Sequence, residues 1–127
     1  MREVVIIDGV RSPIGKFGGG LSKVRPDDLL AEVYKGLMER TGVNPALIDD
    51  VYAGCGNQGG EDNRDVARMS TLLAGFPIEV SGVTVNRNCA SALEAVFSGH
   101  SQRRADFANR IISASALRIP DTLTKKP

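Results

Sequence analysis

The spacing of apolar positions changes several times along the chain, and each change marks an element. Val4, Val5, Ile6 and Ile7 form a continuous β-branched run closed by Asp8 and Gly9. With no polar alternation, the run predicts a central parallel strand covered on both faces. Over residues 26–41 the spacing becomes helical, with Leu29, Leu30, Val33 and Leu37 on one stripe. Pro26 suits the first helical position, Asp27 and Asp28 the positive end, Lys35 and Arg40 the negative end, and Gly42 the stop. Residues 50–55 predict a second strand. Asn63 is the candidate cap of a second helix, with Asp65 in its first turn, a buried stripe of Val66, Met69 and Leu73, and Gly75 and Pro77 at its end. Residues 81–85 predict a third strand, which feeds a third helix, and residues 110–114 a short fourth strand. Strands that alternate with helices predict an α/β fold with a mostly parallel sheet and right-handed crossovers. Residues 1–120 are expected to form the domain and 121–127 a polar tail.

The junction after the third strand carries the candidate chemistry. Val83, Thr84 and Val85 are strand formers, Asn86 to Asn88 break the strand, and from Cys89 onward the residues are small or good helix formers. Cys89 should therefore sit at or near a helix N-terminus, where unpaired N–H groups favour a thiolate. A helix terminus supplies roughly 0.3–1 kcal/mol, about 2 at most, and so lowers a thiol pKa of about 8.5 by no more than about 1.5 units. That makes a partly ionised thiol, and a positioned base must do the rest. An inert buried cysteine at a strand–helix junction fits the same spacing.

Composition narrows the field. At 127 residues, 42% apolar and 24% charged, the chain is one ordinary globular domain. A net charge of +1, 5% aromatics and no Trp argue against nucleic acid as a partner. Two Cys and one His make neither a disulfide scaffold nor a metal site. Glu61 and Asp62 fit a solvated loop better than a metal-binding pair. Gly15, Gly18, Gly19 and Gly20 lack the spacing of a phosphate-binding loop. No stretch is long enough for a membrane span or a signal peptide, so a reducing cytoplasm is the expected compartment. Cys55 ends the second strand with no helix directly after it, and is expected to be a packed thiol.

Val85-Asn-Arg-Asn-Cys-Ala-Ser-Ala-Leu-Glu-Ala-Val96 resembles the nucleophile segment of the thiolases, which move acyl groups between coenzyme A thioesters. Three further stretches, 5–19, 49–58 and 60–69, resemble that family in its own order. The resemblance implies the N-terminal part of a thiolase-like α/β/α layered half, left incomplete. It implies that Cys89 attacks an acyl-CoA carbonyl to form an acyl-enzyme, with its N–H in an oxyanion hole, and that no metal or redox cofactor takes part. It also implies a homo-oligomer assembled through the strand at 81–85.

Two departures qualify this. Ala92 stands where the family usually has Gly, and beyond Leu93 the pattern fades, with 115–120 replacing a Gly-Gly turn. The family's catalytic His, second Cys, Asn–water site and coenzyme A-gripping domain all fall outside this chain. His100 is a poor substitute, because a continuous helix would hold it roughly 16 Å along the axis from Cys89. Three readings follow: an acyltransferase segment, a catalytically incompetent fragment that binds or assembles with a partner, or a gene remnant disrupted near residue 97. Low stability in isolation is expected of a sheet with an open edge and uncovered apolar surface.

Overall fold

A computed structural model describes residues 4–104 and 111–115. Its centre is a parallel sheet of β1 (Asp50–Gly54), β2 (Ser81–Val85) and β3 (Ile111–Ser115), in the order β2-β1-β3. The helices are α1 (Pro26–Thr41), α2 (Val66–Leu73) and α3 (Ser91–Arg104). α2 packs on β2 and β1, and α1 packs on α2, while α3 packs on β1 and β3. Alternation along β1 separates the two sides. Val51 and Ala53 join Leu30, Tyr34, Val66 and Phe76 in one core, and Gly54 meets the start of α3. The result is the expected α/β/α layering around a short parallel sheet.

Two glycines set how closely the layers approach. A Cβ on Gly54 would lie 2.3 Å from the carbonyl carbon and oxygen of Ser91. A Cβ on Gly82 would lie 2.7 Å from the Arg68 nitrogen. The second contact explains why α2 departs from the expected stripe. With its backbone this close to β2, the helix turns Val66, Ala67, Ser70 and Thr71 inward, and Leu73 is exposed. Its cap is Asp65, which accepts the Arg68 N–H at 3.3 Å and the Thr84 hydroxyl at 2.6 Å. Asn63, the expected cap, instead sits in the left-handed region at φ 51°.

α1 begins and ends as expected, and the Gly42 N–H closes it on the Met38 carbonyl at φ 67°. Its buried face is rotated, however. Leu30, Ala31 and Tyr34 face the core with Asp27, while Val33 and Leu37 border it. The largest correction concerns residues 4–7, which form no strand. Val5, Ile6 and Ile7 are 69%, 87% and 78% exposed. An extended run needs a neighbouring ladder for its backbone groups, and among the described residues these pair with none of the three strands. β3 falls one residue later than expected. The 120/121 boundary and the polar tail lie outside the described residues.

Burial pushes the Tyr34 phenol pKa upward, with a further contribution from the Asp65 carboxylate. The ring packs 6.0 Å from that of Phe76, and the hydroxyl has no hydrogen-bond partner among the described residues. An unsatisfied buried hydroxyl costs about 1–3 kcal/mol, so Tyr34→Phe should raise stability by about 1 kcal/mol. A thermal midpoint a few degrees higher is the expected readout, and a lower one would reveal a partner for the hydroxyl. Gly54→Ala should do the opposite. Its methyl group meets backbone that cannot rotate away, at a cost of roughly 1–3 kcal/mol or more. Denaturant titration would read this as a lower midpoint, and an unchanged midpoint would show that α3 can shift freely.

Candidate active site

β2 delivers the chain to a turn at 86–90, which α3 then receives. The sheet holds the entry, because the Cys55 N–H bonds the Val85 carbonyl at 2.9 Å. Asn86 folds the first bend by accepting the Asn88 N–H at 2.9 Å, and Asn88 takes the left-handed conformation at φ 49°. Asn tolerates that region better than most residues, which gives the Asn before Cys89 a conformational role. Ser91 locks the exit. Its hydroxyl donates to the Asn88 carbonyl at 2.7 Å and accepts the Arg87 N–H at 2.8 Å. The Glu94 N–H bonds the Ala90 carbonyl at 2.9 Å, so Ala90 is the residue that caps α3 and Cys89 is the one before it.

Cys89 is exposed, and its turn is held on every side. Arg87 pairs with Glu94 across the first turn of α3. Gly56 lies beneath, where a Cβ would stand 2.9 Å from the Asn88 carbonyl oxygen. The arrangement presents a thiol to solvent from a rigid backbone at the positive end of a fourteen-residue helix. No His, Asp or Glu hydrogen-bonds the thiol among the described residues. His100 is exposed on α3, which runs through Gly99 without a break. That leaves His100 roughly 15 Å along the axis from Ala90.

Other candidates fall away from this site. Cys55 is buried in the core cluster. The carbonyl of Glu61 accepts from Arg25 at 3.1 Å. Among the described residues, no three His, Cys, Asp or Glu side chains group in a way that could hold a metal ion. No described helix is long and apolar enough to cross a membrane. Sequence reasoning placed Asn88 in the strand break but missed the lock that the Ser91 hydroxyl makes on its carbonyl. The available signal was an Asn three residues before a Ser at a predicted helix start, which is side-chain capping chemistry.

Comparison with known proteins places this junction in context. Residues 4–113 match the model of the thiolase N-terminal domain. The β-ketoadipyl-CoA thiolase of Pseudomonas aeruginosa is 59% identical over 96 residues, covering 75% of this chain and 24% of that protein. The 3-oxoadipyl-CoA/3-oxo-5,6-dehydrosuberyl-CoA thiolase of Escherichia coli K12 is 58% identical over 100 residues, covering 76% of this chain and 24% of that protein. The crystal structure of the Bacillus anthracis acetyl-CoA acetyltransferase superposes with a TM-score of 0.78 at 36% identity, covering 84% of this chain and 27% of that one. The chain therefore spans about a quarter of the length of these relatives. A family match over nearly all of the described residues, with the same layered fold, establishes that the chain belongs to the thiolase family.

Proposed function

We propose that this chain carries the nucleophile of a thiolase-type acyl-CoA acyltransferase. The observation that carries the reading is the exposed Cys89 thiol on a locked strand-to-helix turn. The Cys89 sulfur attacks the carbonyl carbon of an acyl-CoA thioester. The bond from that carbon to the coenzyme A sulfur breaks, and the coenzyme A thiolate leaves to be protonated. The bond from the acyl carbon to the Cys89 sulfur then breaks as the acyl group passes to the thiol of coenzyme A or to the α-carbon of a second acyl-CoA; the accepting S–H or C–H gives up its proton, and the Cys89 thiol is restored. The Cys89 N–H stabilises the oxyanion on the attacked carbonyl. The relatives' names support acyl-CoA substrates, and a reducing cytoplasm would suit the exposed thiol. The chemistry calls for no metal or redox cofactor. Acyl transfer also needs a base to take the thiol proton.

A second reading, an assembly module without turnover, is favoured by the surface. The outer face of α3 exposes Leu93 and Phe97, 58% and 57% accessible, beside Val96. β2 lies at the sheet edge, with Val83 exposed on it. An open edge and an apolar helix face both invite a partner. We assign the edge of β2 to self-assembly.

A thioester exchange assay on the purified chain separates the two readings. Turnover that disappears in Cys89→Ala supports acyl transfer by this chain alone. One equivalent of Cys89 alkylation without turnover supports the assembly reading. Self-assembly has its own test. The chain should elute as a dimer or larger species, and Val83→Lys should move it to monomer, because a charge on an edge strand opposes edge pairing. An elution volume unchanged by the substitution would remove β2 from the interface.

A further inference from the structure

Asp27 suits the positive end of α1 in the sequence, and the structure buries it. Its side chain is only 4% exposed and accepts four hydrogen bonds from three residues. Arg25 forks onto the carboxylate, Nε at 3.0 Å from Oδ1 and Nη2 at 2.9 Å from Oδ2. The Asp28 N–H bonds Oδ1 at 3.1 Å, and Asn63 Nδ2 bonds Oδ2 at 3.1 Å. The Ser70 hydroxyl donates to the Asp27 carbonyl at 3.0 Å, which ties in α2. Burial alone would raise the Asp27 pKa. The Arg25 hydrogen bonds and charge, with backbone amides, outweigh it and hold the carboxyl below its ordinary range.

Two of these ties lead away from the helices. Asn63 and the Glu61 carbonyl, which Arg25 Nη2 also reaches at 3.1 Å, belong to the segment 56–65. This segment contains three left-handed residues, Gly60, Asn63 and Arg64. Such a path is unfavourable unless its surroundings enforce it. Both of its ends support the Cys89 turn. Gly56 lies against the Asn88 carbonyl, and the Asn86 amide reaches the Gly56 carbonyl at 3.5 Å. Asp65 grips Thr84 on β2, one residue from the end of the strand that carries the turn.

We infer that Asp27, held in place by Arg25, is a positioning clamp for Cys89: through Asn63 it fixes the middle of the segment 56–65, and the two ends of that segment hold the nucleophile turn in place. The clamp acts on the backbone around the thiol and touches no substrate. It is therefore read on the thiol and its turn, whatever acyl chemistry the chain performs.

The test uses Asn63→Gly and Asn63→Asp in the full 127-residue chain. Glycine accepts the left-handed conformation and removes only the bond to Asp27, leaving the Arg25–Asp27 pair intact. Aspartate puts a second carboxylate against the first. Amide hydrogen exchange is followed at 56–65, at 88–91 and along α1, together with the rate of Cys89 alkylation by iodoacetamide across a pH series. Exchange at 56–65 should rise about tenfold in the glycine variant, the worth of one charge-assisted hydrogen bond, and further in the aspartate variant. Exchange at 88–91 and the alkylation rate should change in the same order, while α1 stays as in the parent. Three results would overturn the inference: no rise at 56–65, a rise there that does not reach 88–91, or an equal rise along α1 that marks general loosening. A variant that fails to fold leaves the other to decide, since each carries the same comparison between the turn and α1.

Discussion

The sheet meets its helices backbone to backbone at two glycines, and the rest of the architecture follows from that distance. At Gly54 the approach places the first peptide of α3 directly on β1, with no side chain between. A helix seated this way cannot slide without carrying its N-terminal turn along. Cys89 stands one residue before the cap that opens that turn, so the seat of α3 on β1 helps to set the position of the thiol together with the strand that delivers it. At Gly82 the same geometry holds α2 against β2, with the Ala67–Arg68 backbone at the contact. Close-packed interiors transmit displacement, and here the transmitting contacts are peptide groups, the least compressible part of the chain.

Polar ties around this frame concentrate where the chain changes direction. Ser91 satisfies both the Arg87 N–H and the Asn88 carbonyl, and Asp65 serves the start of α2 and the Thr84 hydroxyl together. Each is one side chain that closes two bonds where the chain turns at the end of a strand or the start of a helix. Buried backbone polar groups need partners, and short side chains beside the turn provide them at small entropic cost. Asp27 is the extreme case. A carboxylate taken out of water is costly unless paired and hydrogen-bonded, and its four donors meet that condition. The charge joins α1 to a segment that has little apolar surface of its own to anchor it.

Much of this could be read from residue order, and the misses share a cause. Pro26, Gly42 and the β-branched run at 83–85 mark local boundaries, and local rules recover them. The turn at Cys89 was also legible, because a strand former, a polar break and an Ala-rich run follow one another directly. What failed depended on neighbours distant in sequence. Residues 4–7 have the composition of a buried strand, yet strand formation needs a ladder, and β-branching cannot reveal whether one exists. The α2 stripe was misjudged because Gly82, more than a dozen residues away, decides which face can touch the sheet. Asp27 fitted the helix dipole so well that its burial went unsuspected, since a partner such as Asn63 is visible only once the chain is folded.

The energetics of the thiol separate what this turn supplies from what it cannot. A helix end favours the thiolate by about 2 kcal/mol at most, and less when the end is open to solvent and salt. Cys89 stands one residue outside the cap of α3 and is exposed. A thiol poised only by a helix terminus reacts with strong electrophiles. Rapid acyl transfer from a thioester also requires a base to take the proton and donors to hold the oxyanion, each worth orders of magnitude in rate. The turn provides position: a sulfur whose flanking backbone is fixed by Asn88, Ser91, Gly54 and Gly56. Fixed position has value only when the reacting partners are equally fixed, since the gain from orientation is realised between two held groups. For the acyl transfer proposed above, the backbone held around an exposed sulfur thus supplies position alone, and the base and the oxyanion donors must be added to it.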